Sequence, residues 1–242
     1  MRPRPTRTPA GPSASTPTST ARAVALPVGA ALTLGLALLA GCASGSDWSQ
    51  PHPGPVAVGA LAVGFVAPDS TPSPEATIVP EPGSWDAIGP REGYRVVLVT
   101  SGDDAPTQAL VTAVQDWAQA EDVDLRTIVA EDPDDLVPSI AEAVALRGDL
   151  VISAGDDLVD PLAVVSANHL DQQFLVVGAE IAEPTGNVTA ADWSGASFRG
   201  EGLGSASTYD PDSFTPERCA TALRAGVAAV LGGVTGVVVW VD

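Results

Sequence analysis

No lysine occurs among the 242 residues, and histidine and cysteine occur twice each. The missing lysine excludes the phosphate-binding lysine of P-loops, Schiff-base chemistry, the kinase lysine and Ser–Lys dyads. Basic charge is scarce altogether: 11 arginines stand against 30 acids, a formal net charge of −19. Four of those arginines (Arg2, Arg4, Arg7 and Arg22) precede the first acid, Asp47, so the remaining seven face all 30 acids, a balance of −23. Nucleic acid is excluded as a partner, because phosphate binding needs a basic surface. A long apolar run is also missing. The continuous apolar part of the N-terminal region, Val28 to Ala40, falls short of the ~20 residues a spanning helix needs. With His52 and His169 isolated from each other and from any Ser, Cys or acid in a catalytic pattern, neither a hydrolase triad nor a zinc site is written here. The chain reads as a non-enzyme without cofactor. Its Ala, Gly, Val, Pro and Arg usage fits a GC-rich coding bias.

What is present begins with an address. Four arginines, an apolar stretch from Ala23 to Ala40 and a small-residue site form an export signal over residues 1–42. Its end, Leu39-Ala40-Gly41-Cys42, resembles the bacterial lipobox. That resemblance implies a diacylglycerol on the Cys42 thiol, cleavage that leaves Cys42 as the mature N-terminus, and anchoring on the extracytoplasmic face of a bacterial cell membrane. Cys219 then has no partner for an intrachain disulfide, and it falls on the apolar face of an expected helix as a packing residue.

Residues 43–93 contain nine prolines: Pro51, Pro53, Pro55, Pro68, Pro72, Pro74, Pro80, Pro82 and Pro90. Proline blocks helices and central strands, so this stretch is expected to be mostly tether. Short strands are expected within Val56–Val66 and Ala76–Val79, and Trp85 and Ile88 are expected to pack onto the domain C-terminal to them. Residues 94–242 are expected to form that one domain. Apolar runs at Arg95–Thr100, Asp124–Ala130, Leu150–Ala154, Phe174–Val177, Val188–Ala190 and Val237–Val241 alternate with segments of helical spacing. Gly148 is the expected stop of the second helix, Pro161–His169 a third, and Thr215-Pro216 the cap of the last. Strand–helix alternation with buried runs means an α/β fold: a doubly wound, mostly parallel sheet of five to six strands with helices on both faces.

Ligands of such folds bind at the carboxyl ends of the strands. An acid follows every expected strand there: Asp103 and Asp104, Glu131 and Asp132, Asp156 and Asp157, Glu180, Asp192, and Asp242. Most suit helix capping, since carboxylates favour helix N-termini. Asp103, Asp104 and Asp156 follow the longest apolar strands and are the candidate ligand-binding residues, for a cation or for the hydroxyls or amines of a small polar solute. Dinucleotide binding is excluded because no Gly-x-Gly-x-x-Gly follows the first strand. Asn187-Val188-Thr189 matches a glycosylation sequon, and the pair Asp210 and Asp212 is too short a pattern for calcium.

Gly148-Asp149-Leu150-Val151-Ile152-Ser153-Ala154-Gly155, then Gln173-Phe174-Leu175-Val176-Val177, then Asn187-Val188-Thr189, resemble the basic membrane protein (BMP) family. The resemblance implies a lipid-anchored substrate-binding component of an ABC importer, with a permease as partner and a periplasmic-binding-protein-like type I fold of which this chain supplies a single lobe. Three positions depart from the family's pattern. Pro106 replaces an aromatic that stacks on a base, Asp156 stands where Phe is frequent, and Gly178 stands where Asp is common. The alternative is an interaction or scaffold lipoprotein that keeps the fold without a ligand.

Overall fold

A computed structural model describes residues 47–50, 52, 54, 57–196, 198–200, 204 and 207–242. Cys42 and the export signal lie outside the described residues. Three short strands come first: β1 (Ala57–Gly59), β2 (Thr77–Ile78) and β3 (Ile88–Pro90). Then β4 (Arg95–Ser101), α1 (Ala105–Ala120), β5 (Asp124–Ala130), α2 (Leu136–Ala145), β6 (Leu150–Ala154), α3 (Val159–Ser166), β7 (Phe174–Val177), β8 (Val188–Asp192), α4 (Pro216–Leu231) and β9 (Val238–Trp240) alternate as expected. The main sheet has seven strands in the order β2-β9-β8-β7-β6-β4-β5, and every pairing in it is parallel. The seventh strand is β2, the short edge piece foreseen within Ala76–Val79.

The apolar runs are strands because they bury both faces. On β4, Val96 and Leu98 face α1 and α4, packing with Leu110, Val114, Trp117, Cys219, Leu223 and Val227. Val97 and Val99 face the other way, onto α2 and α3, with Ile140, Ala143, Leu162 and Val165. Cys219 is buried in the first of these layers, the packing role its helical position indicated. Gly226 lets α4 approach the sheet closely: a Cβ there would lie 2.7 Å from Leu175 Cδ1 and 3.0 Å from Ala191 Cβ. Thr215 caps α4, its side chain accepting from the Arg218 N–H at 3.3 Å, with Pro216 opening the helix.

Several boundaries differ from the sequence reading. Helix α2 ends at Ala145, and the chain turns at Arg147 (φ 54°) rather than at Gly148. Gly148 is instead needed for closeness, since a Cβ would meet the Arg95 carbonyl oxygen at 3.2 Å. The third helix starts two residues earlier than Pro161 and stops at Ser166, preceded by a 3-10 turn over Asp156–Leu158. The stretch expected as tether carries the most informative difference. Strands β1 and β3 pair antiparallel, β2 joins the main sheet beside β9, and Phe65 and Trp85 are buried in the α1/α4 layer. Apolar side chains between the prolines outweigh the proline pattern, because an irregular chain can still bury Phe and Trp. Asn187 of the sequon is buried as well. Its amide donates to the carbonyls of Ser166, His169 and Gln172, pinning the entry to β8.

Candidate functional site at the carboxyl edge of the sheet

The chain leaves β4 to one side to form β5 and returns on the other side to form β6. Loops after β4 and β6 therefore diverge at the switch point, the place where such sheets leave a crevice. A crevice of about 90 Å³ lies there, lined by Ser101, Asp104, Thr107, Gly155, Asp156, Asp157, Tyr209 and Phe214 among others. Gly155 makes the junction tight. Its φ is 119°, and a Cβ would sit 2.6 Å from the Ser101 carbonyl oxygen.

Of the three candidate acids, two meet in this crevice. Asp104 is also the N-cap of α1: one carboxylate oxygen accepts from the Thr107 N–H at 3.0 Å, the other from the Thr107 hydroxyl at 2.8 Å. Asp156 opens the turn before α3 and is half-buried. Burial, then Asp104, then Asp157 push its carboxyl up to about 6. Asp103 is exposed and does not line the crevice; only its backbone carbonyl is engaged, by the Gln108 side-chain amide at 2.6 Å. The rim acids Glu131 and Asp132 after β5 are also exposed.

Sequence reasoning set Glu180 and Asp192 among the capping acids and passed over the aromatics that build the rest of this edge. Asp192 ends β8 with no solvent exposure. One of its oxygens accepts from the Trp193 N–H at 2.8 Å, and its carboxyl also meets the Glu180 carboxyl. Burial first, and the neighbouring Glu180 carboxyl after it, hold Asp192 well above the usual carboxylate range. Glu180 is itself buried and ion-paired with Arg199 at 3.5 Å. An aromatic cluster flanks these acids. Trp193 and Phe214 meet edge-on with ring centroids 5.0 Å apart, and Tyr209 stacks at a tilt on Phe214 at 6.0 Å. Tyr209 keeps 46% of its surface exposed, and its hydroxyl is raised by burial and by Asp156 and Asp104. The one available signal was that Tyr209 and Phe214, with Trp193 and Phe198, are the aromatics of a stretch otherwise rich in Gly and Ser between β8 and α4.

Chemically, the edge offers carboxylates, the Ser101 hydroxyl and a phenol. That set accepts hydrogen bonds from hydroxyl or ammonium groups. Among the described residues, no group of three or more His, Cys, Asp or Glu is placed to hold a metal ion. A larger cavity, about 540 Å³, runs between α1 and α4 beside Trp117 and Arg224. It runs along the two helices and is lined by their side chains, mostly apolar in surface, so the smaller crevice is where the fold concentrates polar groups.

No family model matches the sequence, and no curated protein does. Likenesses to solved structures include the following three. A structure described as a lipoprotein fragment from Peptoclostridium difficile 630 shares 17% identity at a TM-score of 0.42, over 60% of this chain and 100% of that one. An ABC transporter solute-binding protein from Aeropyrum pernix K1 shares 16% identity at 0.38, over 42% of this chain and 29% of that one. Another from Conexibacter woesei DSM 14684 shares 20% identity at 0.35, over 42% and 36%. The matched part thus spans about a third of the two solute-binding proteins.

Proposed function

We propose that the chain is a lipid-anchored, extracytoplasmic binding lobe of the BMP kind. In this reading it takes a small polar solute at the carboxyl edge of its sheet and serves an ABC importer, without catalysing a reaction. The observation that carries this reading is the crevice at the switch point, where Asp104, Asp156 and Asp157 converge beside Ser101 and a half-exposed Tyr209. Like charges gathered at a partly buried place cost stability, and a bound donor offsets that cost. The lipobox at Leu39–Cys42 supports the anchor.

A thermal-melting screen against nucleosides, sugars, amines and divalent cations tests it, using wild type and the Asp104→Asn/Asp156→Asn double variant. At a concentration 100-fold above its Kd, a specific solute stabilises the fold by about 2.7 kcal/mol. Wild type should respond to a solute and the double variant should not. An equal response removes the crevice as the site. Anchoring is tested separately: Cys42→Ser should abolish incorporation of labelled fatty acid.

One observation favours the scaffold alternative. The crevice measures about 90 Å³, against roughly 300–1,000 Å³ for ordinary small-molecule sites, and both oxygens of Asp104 are already engaged in capping. A screen in which no solute shifts wild type would fit that reading.

A further inference from the structure

The opposite edge of the sheet is tied to residues 47–52. The Trp48 indole N–H donates to Asp124 Oδ2 at 2.6 Å, and the Trp48 ring lies beneath the guanidinium carbons of Arg126 at 4.4 Å and Arg95 at 5.4 Å. Arg95, itself buried, donates to the carbonyls of Asp47 at 3.3 Å and Gln50 at 3.5 Å. His52 Nε2 lies 2.8 Å from Asp149 Oδ2, the same oxygen that accepts from the Arg95 N–H at 2.8 Å. The partners stand toward the amino ends of three neighbouring strands: Arg95 opens β4, Asp124 opens β5 with Arg126 two residues on, and Asp149 precedes β6. His52 is thus half-buried in this clamp.

The clamp grips the chain just past Cys42. Five peptide steps separate Cys42 from Asp47, a reach of at most about 18 Å even when fully extended. The crevice begins one strand length further on: the seven residues of β4 carry the chain about 20 Å from Arg95 to Ser101.

We propose that the lipid anchor meets the folded unit at the amino-terminal edge of the sheet, so that this edge lies against the membrane surface and the crevice opens away from it. The inference rests on the reading of Cys42 as the lipidated residue. It means that a solute reaches the crevice from the aqueous side, and that handing it to a membrane-embedded permease requires the lobe to turn about its short leash.

Energy transfer to a headgroup-labelled lipid tests it. The full lipidated chain is reconstituted in vesicles of phosphatidylglycerol and phosphatidylethanolamine, with a donor dye on Glu92→Cys at the amino edge or on Asp103→Cys at the carboxyl edge. Native Cys219 stays silent, because its thiol is fully buried and pushed up to about 11. Transfer should be about twofold stronger, or more, from position 92, given the ~20 Å step between the edges. Inserting 20 Gly/Ser residues between Ser46 and Asp47 adds a coil of roughly 25 Å and should erase the contrast while the protein still floats with vesicles. Equal or reversed transfer in a floating protein overturns the orientation alone. A contrast that survives the insertion unchanged overturns the short leash as its cause. A protein that does not float overturns the anchor and, with it, this inference.

Discussion

The two edges of one sheet are built on opposite electrostatic plans. At the amino edge, charges of opposite sign meet and their hydrogen-bonding groups are engaged: Arg95 with backbone carbonyls, Asp149 with an N–H and a histidine, Trp48 with Asp124 and two guanidinium groups. At the carboxyl edge, charges of one sign converge. Asp156 is raised by burial and by its acidic neighbours, and buried Asp192 is raised by burial and by the Glu180 carboxyl beside it. Like charges gathered at a partly buried place oppose folding, so the second plan lowers stability where the first supports it.

Breaking the amino edge should be costly. Asp149→Ala removes the acceptor of the Arg95 N–H and of His52 at a buried place. It should lower stability by about 2–3 kcal/mol, read as a lower denaturation midpoint at unchanged m-value. Trp48→Ala should cost less, about 1–2 kcal/mol, through the lost indole bond and the two cation–π contacts. It should also make residues 47–54 the first site of limited proteolysis. At the carboxyl edge, Asp104→Ala should cost only about 1 kcal/mol, the worth of an N-cap, and should lower the Asp156 titration midpoint seen by NMR. Asp103→Asn, at an exposed side chain outside the crevice, should change stability by less than about 0.5 kcal/mol and leave that midpoint in place. If Asp103→Asn moved the midpoint as far as Asp104→Ala, the distinction between the two acids would fail.

The central strands were legible because residues buried on both faces leave continuous apolar runs, and Val96 to Val99 or Leu150 to Ile152 admit no other packing. Caps were legible where chemistry is local, as with Thr215-Pro216. The edge acids were legible as a group but not as individuals. Whether Asp103 or Asp104 caps α1 depends on how the chain turns at Gly102 (φ 84°), which the adjacent letters do not encode. Asp192 looked like one more rim residue, and its burial comes from strands on both sides of it. The amino-edge clamp was hidden because it is non-local: Trp48 reaches Asp124 and His52 reaches Asp149 across 76 and 97 positions. Its prolines, read locally, indicate only irregular chain, and irregular chain packs as firmly as a helix where it brings a Trp between two arginines.

The contrast between the edges is tested most directly by the pH dependence of stability for wild type and Asp156→Asn. The Asp156 carboxyl is raised to about 6 from an ordinary value of 3.8, so between those values the folded state holds more protons than the unfolded one, and stability falls as pH rises through that window. The asparagine variant lacks this loss. Denaturant titrations from about pH 3.5 to 8 should give coincident stabilities for the two proteins below about pH 4. From there the variant should gain until about pH 7, by on the order of 1 kcal/mol once solvent screening of a partly open group is allowed for. Curves that stay parallel across the range, or a variant less stable at neutral pH, would show that the carboxyl edge is as well satisfied as the amino edge and would contradict this account.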